Sequence, residues 1–595
     1  MLPLTSAARP PAAGKCTASS WRARPLISPL MHDTMRKIAV VLLLALPCAA
    51  AAQTAASDPL MSALRTELGR SFEKLRNAES SPLYYLGYEV YDSTSYGLSA
   101  REGAVSDENE DRQRRLDVDA RVGSPELDNT HELKGDSSGS NSKSQEVFAL
   151  PVENDQDSLR AETWNLTDRA YKVALDKYAK VSMNKSVTAE EDDKSGDFSK
   201  APAEKFYALE TFPSFDREKF RGMLRRLSAK LKPLDFVYDS EVFFNVETEN
   251  RYQVNSEGSE IASGNTYVYL GYSVYTRTRD GMGLSRGKMY NAASPAGLPE
   301  EQEISRDMDK SVAELKAMAA APAEPPYSGP MLLENRAAAV FFHEILGHRL
   351  EGHRQKSEQS GQTFAAMVGK TIMPEFLTVR DDPGLGSFGG EILRGFYRYD
   401  DEAVAARKAS LVENGVLKGF LMGRSPIKDF PASNGHGRRS PGNGTVARMG
   451  NLMVSSTNRV TYPQLRARLL DEVKKAGKPF GIVVTDISGG QTITDRDLPQ
   501  SFSVNLTMGY KVYPDGRPDE AVRGLNLIGT PLQTFSRLLV TGDDDGVFNG
   551  TCGAESGWVP VSAVSPSLLF SEMETEKIQK SNARPPVLKP PYTDN

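Results

Sequence analysis

The sequence predicts an α+β protein: a mixed N-terminal region of strands and long helices, a histidine-bearing helix, then a large antiparallel β-rich C-terminal domain. Three observations carry this reading. Before residue 325, strand candidates are interspersed with long stretches of helical periodicity. The run Phe341–His353, FFHEILGHRLEGH, holds three of the chain's six histidines. Beyond it, short apolar runs are punctuated by Asn414-Gly415, Ser488-Gly489-Gly490, Asp515-Gly516 and Asp545-Gly546, the turn signals of successive strands.

Residues 1–34 show no apolar periodicity. At Met35 the chain changes to Met-Arg-Lys, an apolar run from Ile38 to Leu46, and then Ala49-Ala50-Ala51-Ala52-Gln53. These are the basic, apolar and small-residue parts of a secretory signal peptide. Residues 1–34 are therefore expected to be a disordered upstream overhang and residues 35–52 a signal cleaved after Ala52. The product is expected to be exported, to the periplasm. Pro47 makes Cys48 a poor lipoprotein acceptor. Cys16 and Cys48 precede the cleavage point, which leaves Cys552 as the mature thiol. Such a lone cysteine is buried and inert, reactive, or a metal ligand.

The elements follow in order. From Asp58 to Asn77, Leu60, Leu64, Leu68, Phe72 and Leu75 recur at helical spacing behind Asp58 as N-cap. Tyr84–Tyr91 reads as a strand, the charged Arg101–Arg115 as a solvated strand–turn–strand, and the alternating Leu116–Val122 as a half-buried strand. Gly135–Ser144 reads as a loop, and Leu159–Ser186 and Phe215–Leu231 as helices. Val237–Val246 and Asn250–Val254 read as paired strands, with a turn at Asn255–Gly258 before the strand Tyr267–Tyr275 and another near Asp280-Gly281. Glu300–Ala319 is helical, the Pro-rich Ala320–Pro326 a linker, and the histidine helix starts near Leu333. Tyr462–Lys475 is a short helix among the later strands. The expected organisation is thus an N-terminal α+β region (53–325), a linker and metal-binding helix (326–358), a β-rich domain (359–580) and a Pro-rich tail (581–595).

Two imidazoles and a carboxylate are the parts of a hydrolytic zinc site: histidines hold the metal and the carboxylate handles a proton. The spacing here is i, i+5, roughly 140° apart on an ideal helix, against about 40° for i, i+4. Either a π-type turn brings the two rings together, or the helix unwinds at Gly347. A plain alternative is a buried helix whose histidines are hydrogen-bonded in a core. Gly435–Gly444, with His436, Arg438 and Arg439, lacks the ending of a nucleotide loop, and taken alone reads as a mobile surface loop.

The motif HEILGHRLEG resembles the His-Glu-x-x-x-His helix and Leu-Glu-Gly of the TldD/PmbA metallopeptidase family. NGVLKGFLMGR, SNGHGRR, ARMGNLMV, DISGGQ, RGLNLIGTPL and GTCGAESGWVPVSAVSPSL resemble the family's later blocks in order; NSEG and RLDVDARVGSPELDNTH fit its N-terminal part more loosely. The resemblance implies His343, His348 and Cys552 as Zn²⁺ ligands and Glu344 as general base. Three protein ligands leave a fourth position for chemistry. Glu351 is expected three residues on, on the same helix face as His348, as a partner for its ring. His353 stands where the family usually has an acid, and reads as a surface or pocket-rim residue. His436, Arg438 and Arg439 are candidates for contact with a substrate carboxylate or oxyanion. The resemblance further implies dimers around an internal chamber, here a homodimer or a heterodimer with a PmbA-like subunit.

A net charge of −6 at pH 7 gives no footprint for nucleic acid, and no stretch after the signal is long and apolar enough to span a bilayer. The leading expectation is an exported zinc metallopeptidase acting on unfolded or small peptides. A zinc hydrolase of another amide, such as a cell-wall peptide bond, is the second. A non-catalytic partner subunit is the third, and the intact Glu344 argues against it.

Overall fold

Long antiparallel strands organise the N-terminal half. The computed structural model describes residues 57–78, 81–133, 148–187, 193–357, 360–496, 498, 500–579 and 584–588. The expected overhang, signal peptide and Gly135–Ser144 loop lie outside these residues, as does most of the Pro-rich tail.

Helix α1 (Pro59–Leu75) begins as its sequence dictates: the Asp58 side chain accepts from Met61 N–H and Pro59 occupies the first turn. Strands β1 (Leu83–Arg101) and β2 (Ala104–Ser124) form one hairpin, turning at Glu102-Gly103, both with positive φ. Helices α2 (Gln156–Val187) and α3 (Arg217–Ala229) follow. Strand β3 (Asp239–Asn255) runs unbroken through the stretch expected to hold two paired strands. Its polar segment Glu247–Asn250 is not a turn: Thr248 is buried and shares a hydroxyl hydrogen bond with Thr266 across the sheet. Strand β4 (Glu260–Arg277) follows the expected Asn255–Gly258 turn, β5 (Gly283–Ala292) pairs with it, and α4 (Glu301–Ala320) closes the region.

The sheet runs β2-β1-β3-β4. Strand alternation gives it two unlike faces. Leu86, Tyr88, Val90, Val246, Leu270 and their neighbours bury against the helices, with α1 and α2 at one end and α3 and α4 at the other. Glu89, Asp117, Arg251 and Gln253 point the other way, towards the C-terminal half.

That half is β-rich and mostly antiparallel, as expected. Strand β6 (Ser328–Leu333) emerges from the segment expected to be linker, and helix α5 (Asn335–Ile345) begins two residues later than anticipated. Then come β7 (Leu377–Asp381), β8 (Ala409–Glu413), β9 (Asn451–Ser456) and α6 (Tyr462–Lys475). After these follow β10 (Gly481–Thr492), β11 (Phe502–Val512), β12 (Leu525–Gly529) and β13 (Leu538–Gly542). Strands β14 (Gly546–Ala554), β15 (Gly557–Ser565) and β16 (Leu568–Lys577) complete it.

Strands β16, β12, β11, β10 and β6 pair in sequence, and β6 pairs back to β16, so this sheet closes on itself. A second sheet runs β8-β7-β9-β15-β14 and ends at β14. Two of the pairings, β6 with β10 and β9 with β15, are parallel. Helix α5 is wedged between the sheets, with every residue from Arg336 to Ile345 buried. Its polar side chains Arg336, His343 and Glu344 share one side and are buried with the rest.

Candidate metal centre

Helix α5 does not continue through the motif. It stops at Ile345, Leu346 takes φ −116°, and Gly347–Leu350 tightens into a 3₁₀ turn. Of the two geometries open to an i, i+5 pair, the structure therefore adopts unwinding at Gly347 rather than a π-turn. Gly347 packs closely under Met449, and a Cβ there would displace the methionine side chain. His343 sits on the last turn of α5 and His348 on the 3₁₀ turn, their ring centroids 5.0 Å apart at 83°.

Cys552, in β14, meets both rings. His343 Nε2 is 3.1 Å and His348 Nε2 3.2 Å from Cys552 Sγ. Among the described residues these three form the group of His, Cys, Asp or Glu side chains close enough to share an ion, their ligand atoms all within 4.8 Å. All three are buried. Zinc bonds of about 2.3 Å to sulfur and 2.0–2.1 Å to nitrogen would hold tetrahedral N and S roughly 3.5 Å apart. The two nitrogen–sulfur gaps need to widen by a few tenths of an ångström, and the two imidazole nitrogens, within 4.8 Å of each other, would stand about 3.3 Å apart on one ion. Burial opposes the imidazolium of His348, yet Cys552 and Glu351 outweigh it and raise the His348 pKa well above its ordinary value, so a metal here displaces a proton. Two imidazoles and one thiol meeting in the interior are the donor chemistry that suits a zinc ion.

Glu344 follows His343 on α5 and is 1% exposed. Gly490 of β10, in the DISGGQ block, makes room for it, since a Cβ there would lie 3.0 Å from Glu344 Cγ. Glu351 Oε1 is 3.2 Å from His348 Nδ1, the ring nitrogen turned away from Cys552. The contact expected from helix periodicity exists for a different reason: Glu351 has left the helix, with extended backbone bridged to Leu421.

The other candidates lie elsewhere. His353 is partly buried and pairs with Glu555 in the β14–β15 turn. The segment Gly435–Gly444, whose plain reading was a mobile surface loop, has its three candidate side chains in the interior. His436 Nε2 is 3.2 Å from Asp381 Oδ1. Arg438 donates to the carbonyls of Met449 (2.6 Å) and Pro560 (2.7 Å). Arg439 pairs with Glu89 (2.8 Å) and Asp117 (3.6 Å) on the polar face of the N-terminal sheet. None of these three groups joins the His–His–Cys cluster.

Sequence reasoning missed the charged residues around the cluster. Arg354 pairs with Glu351 and Glu555, both at 2.9 Å. Arg448 lies 3.3 Å from Glu351 Oε1 and donates to the Cys552 carbonyl at 2.9 Å. Arg448 does stand inside the quoted ARMGNLMV block, but nothing local marks its partners, which are far away in sequence.

Fold and site together define a β-rich protein with a buried His–His–Cys group suited to a metal and a carboxylate beside it. Residues 326–577 match the family described as PmbA/TldA metallopeptidase C-terminal domain. A protein of Methanothermobacter thermautotrophicus named metalloprotease is 28% identical over 316 residues, 53% of this chain and 64% of that one. A Saccharolobus solfataricus protein named zinc metalloprotease TldD homolog is 25% identical over 247 residues, 41% of this chain and 51% of that one. The matches thus span between half and two thirds of these curated relatives. The structure of TldE from Thermococcus kodakarensis shares the fold, with a TM-score of 0.52 over 86% of this chain and all of that one at 14% identity. Residues 326–577 of this chain thus carry a C-terminal domain of the PmbA/TldD type.

Proposed function

We propose that this protein is a zinc-dependent peptidase of the TldD kind, acting outside the cytoplasm on unfolded or small peptides. The observation that carries this reading is the meeting of His343, His348 and Cys552 at 3.1–3.2 Å, with Glu344 adjacent to a ligand. The names of the metalloprotease relatives support it. The signal-like residues 35–52 support export, and the fold shared with TldE supports a homodimer or a pairing with a PmbA-like subunit.

In this reading His343, His348 and Cys552 hold the ion through Nε2, Nε2 and Sγ. Zinc bound there would act as a Lewis acid, making water more acidic and polarising a peptide carbonyl. Glu344 takes a proton from the attacking water and returns it to the departing amine nitrogen as the C–N bond breaks. Glu351 accepts from His348 Nδ1–H, which fixes the tautomer that leaves Nε2 free to coordinate. Burial of the whole group excludes bulk water and favours flexible chains over folded proteins as substrates.

The test pairs two substitutions in the purified full chain. Glu344→Gln should keep its metal while hydrolysis of an unstructured peptide falls by roughly 10²–10⁴-fold, the range typical of a lost general base. Cys552→Ala should lose most of the metal. Parental hydrolysis by Glu344→Gln would remove Glu344 as the base, and full zinc content in Cys552→Ala would remove the proposed ligand set.

A further inference from the structure

The two segments that carry the ligands are far apart in the chain: His348 and Cys552 are separated by 204 positions. One sits on a 3₁₀ turn and the other on β14, the last strand of its sheet. Neither local structure fixes the distance between them. A third segment, the approach to β9, reaches both.

Arg448 lies in that segment and is fully buried. Its backbone N–H donates to His436 O at 2.9 Å, which anchors the main chain. Its guanidinium then works in two directions. Towards the cysteine, Nη2 donates to the Cys552 carbonyl at 2.9 Å, and Nη1 to Ser556 Oγ at 2.9 Å and to the Gly557 carbonyl at 3.2 Å. Towards the histidine, the guanidinium forms an ion pair without a hydrogen bond, Nε lying 3.3 Å from Glu351 Oε1, the same oxygen that faces His348 Nδ1. A closed circuit results: Cys552 main chain, Arg448, Glu351, His348, and back to Cys552 Sγ.

We propose that Arg448 is the positioning residue of the metal centre: one guanidinium grips the Cys552 main chain and the carboxylate that orients His348, and so sets the separation of sulfur from imidazole. This rests on the metal-site reading above. The planar fork is what the task needs. Its Nη donors leave in fixed directions towards two carbonyls and a hydroxyl while the delocalised charge faces Glu351, whereas a lysine ammonium is a compact point charge that cannot serve both sides at once. Arg354 also bridges Glu351 to the β14–β15 turn, through Glu555, but it makes no contact with the Cys552 main chain among the hydrogen bonds and ion pairs seen. Arg448 therefore couples the Cys552 main chain to His348 through the single carboxylate of Glu351, and Arg354 braces the segments behind them.

Cobalt(II) in place of zinc tests this in the full chain, because a cobalt–thiolate bond gives a near-ultraviolet charge-transfer band that reports sulfur ligation without any substrate. The parent should show the band and Cys552→Ser should lack it. Arg448→Met should weaken the metal by about 10–100-fold, the usual cost of losing a group behind a ligand, and shift or diminish the band. Arg448→Lys keeps the charge without the fork and should stay close to Arg448→Met. Glu351→Gln should weaken binding similarly. The double variant Arg448→Lys/Glu351→Gln should lose about as much as the worse single, because both act on one circuit.

Parental affinity and band in Arg448→Lys would overturn the proposal, as would losses that multiply in the double variant. Should Arg448→Met not fold, the Lys and Gln variants and their combination decide the question. A parent that binds cobalt with no Cys552-dependent band would instead remove the metal-site reading, and this inference with it.

Discussion

Replacing Arg439 by methionine should weaken the docking of the two halves more than any surface charge change could. In the parent, Arg439 donates to Glu89 Oε2 from Nη2 (2.8 Å) and Nε (3.2 Å), and lies 3.6 Å from Asp117. Arg439, Glu89 and Asp117 are 5%, 3% and 0% exposed. Methionine keeps the bulk and leaves two buried carboxylates without that cation, a loss worth about 3–5 kcal/mol for breaking a buried pair from one side. For cooperative units of this size the first thermal transition should fall by roughly 6–20 °C.

The cost should depend on pH in a definite sense. Burial first, and the Asp401 charge second, push Glu89 up to about 7 against the pull of Arg439. Removing Arg439 raises it further. An acid whose folded pKa exceeds its unfolded value loses stability as pH rises between the two, so the variant should be penalised more at pH 8.5 than at pH 6. Calorimetry at the two pH values reads this, together with the double variant Arg439→Met/Glu89→Leu. The double should recover about 0.5–3 kcal/mol of coupling between the contacting groups. A loss below about 1 kcal/mol, typical of exposed pairs, would refute the argument, as would a penalty independent of pH.

Two further outcomes are expected. Gly347→Ala should cost about 1–3 kcal/mol by overpacking against Met449, and Met449→Ala in the same chain should restore part of it; a thermal melt equal to the parent's would show that the 3₁₀ turn tolerates a side chain. Asp128 accepts from Tyr84 Oη (2.6 Å), Thr130 N (2.6 Å), Thr130 Oγ1 (2.7 Å) and Arg121 Nη1 (3.2 Å). Burial opposes its charge, but Arg121 and these donors prevail and hold it below its ordinary value. Its contribution is therefore present above the unfolded pKa of about 4 and lost as pH falls through the folded one. Asp128→Asn should destabilise the chain at pH 7 and flatten acid unfolding below about pH 4, so an unchanged acid limb would count against the assignment.

Much of the chain was legible because its signals are local. Asp58 caps α1 through a neighbour three residues on, and α6 spans the predicted Tyr462–Lys475. Strand β3 was misread because four polar residues in a row, Glu247–Asn250, look like a turn, although within the sheet Thr248 is buried against Thr266 and Glu249 pairs with Arg251. Strand β6 was misread as linker because a proline-rich approach hides a short apolar strand whose partners, β10 and β16, come some 150 and 240 residues later. The turn Gly435–Gly444 looked solvated because its arginines find their acids and carbonyls only after folding.

The sequence by itself determined the chemistry available. Histidine, acid and histidine within six positions and one distant thiol define a donor set, and that inventory does not depend on where the chain goes. Tertiary structure alone decided how the donors meet. An i, i+5 pair cannot face one ion on a regular helix, so the meeting requires α5 to end at Ile345, Gly347 to pack under Met449, and β14 to bring Cys552 back across both rings. The residues that hold this arrangement, Glu351, Arg354 and Arg448, are charged and buried. A buried charge is stable only beside its partner: Glu351 and Arg354 stand three residues apart, but Arg448 reaches Glu351 and the Cys552 carbonyl across more than 90 positions of chain, beyond the reach of any local pattern.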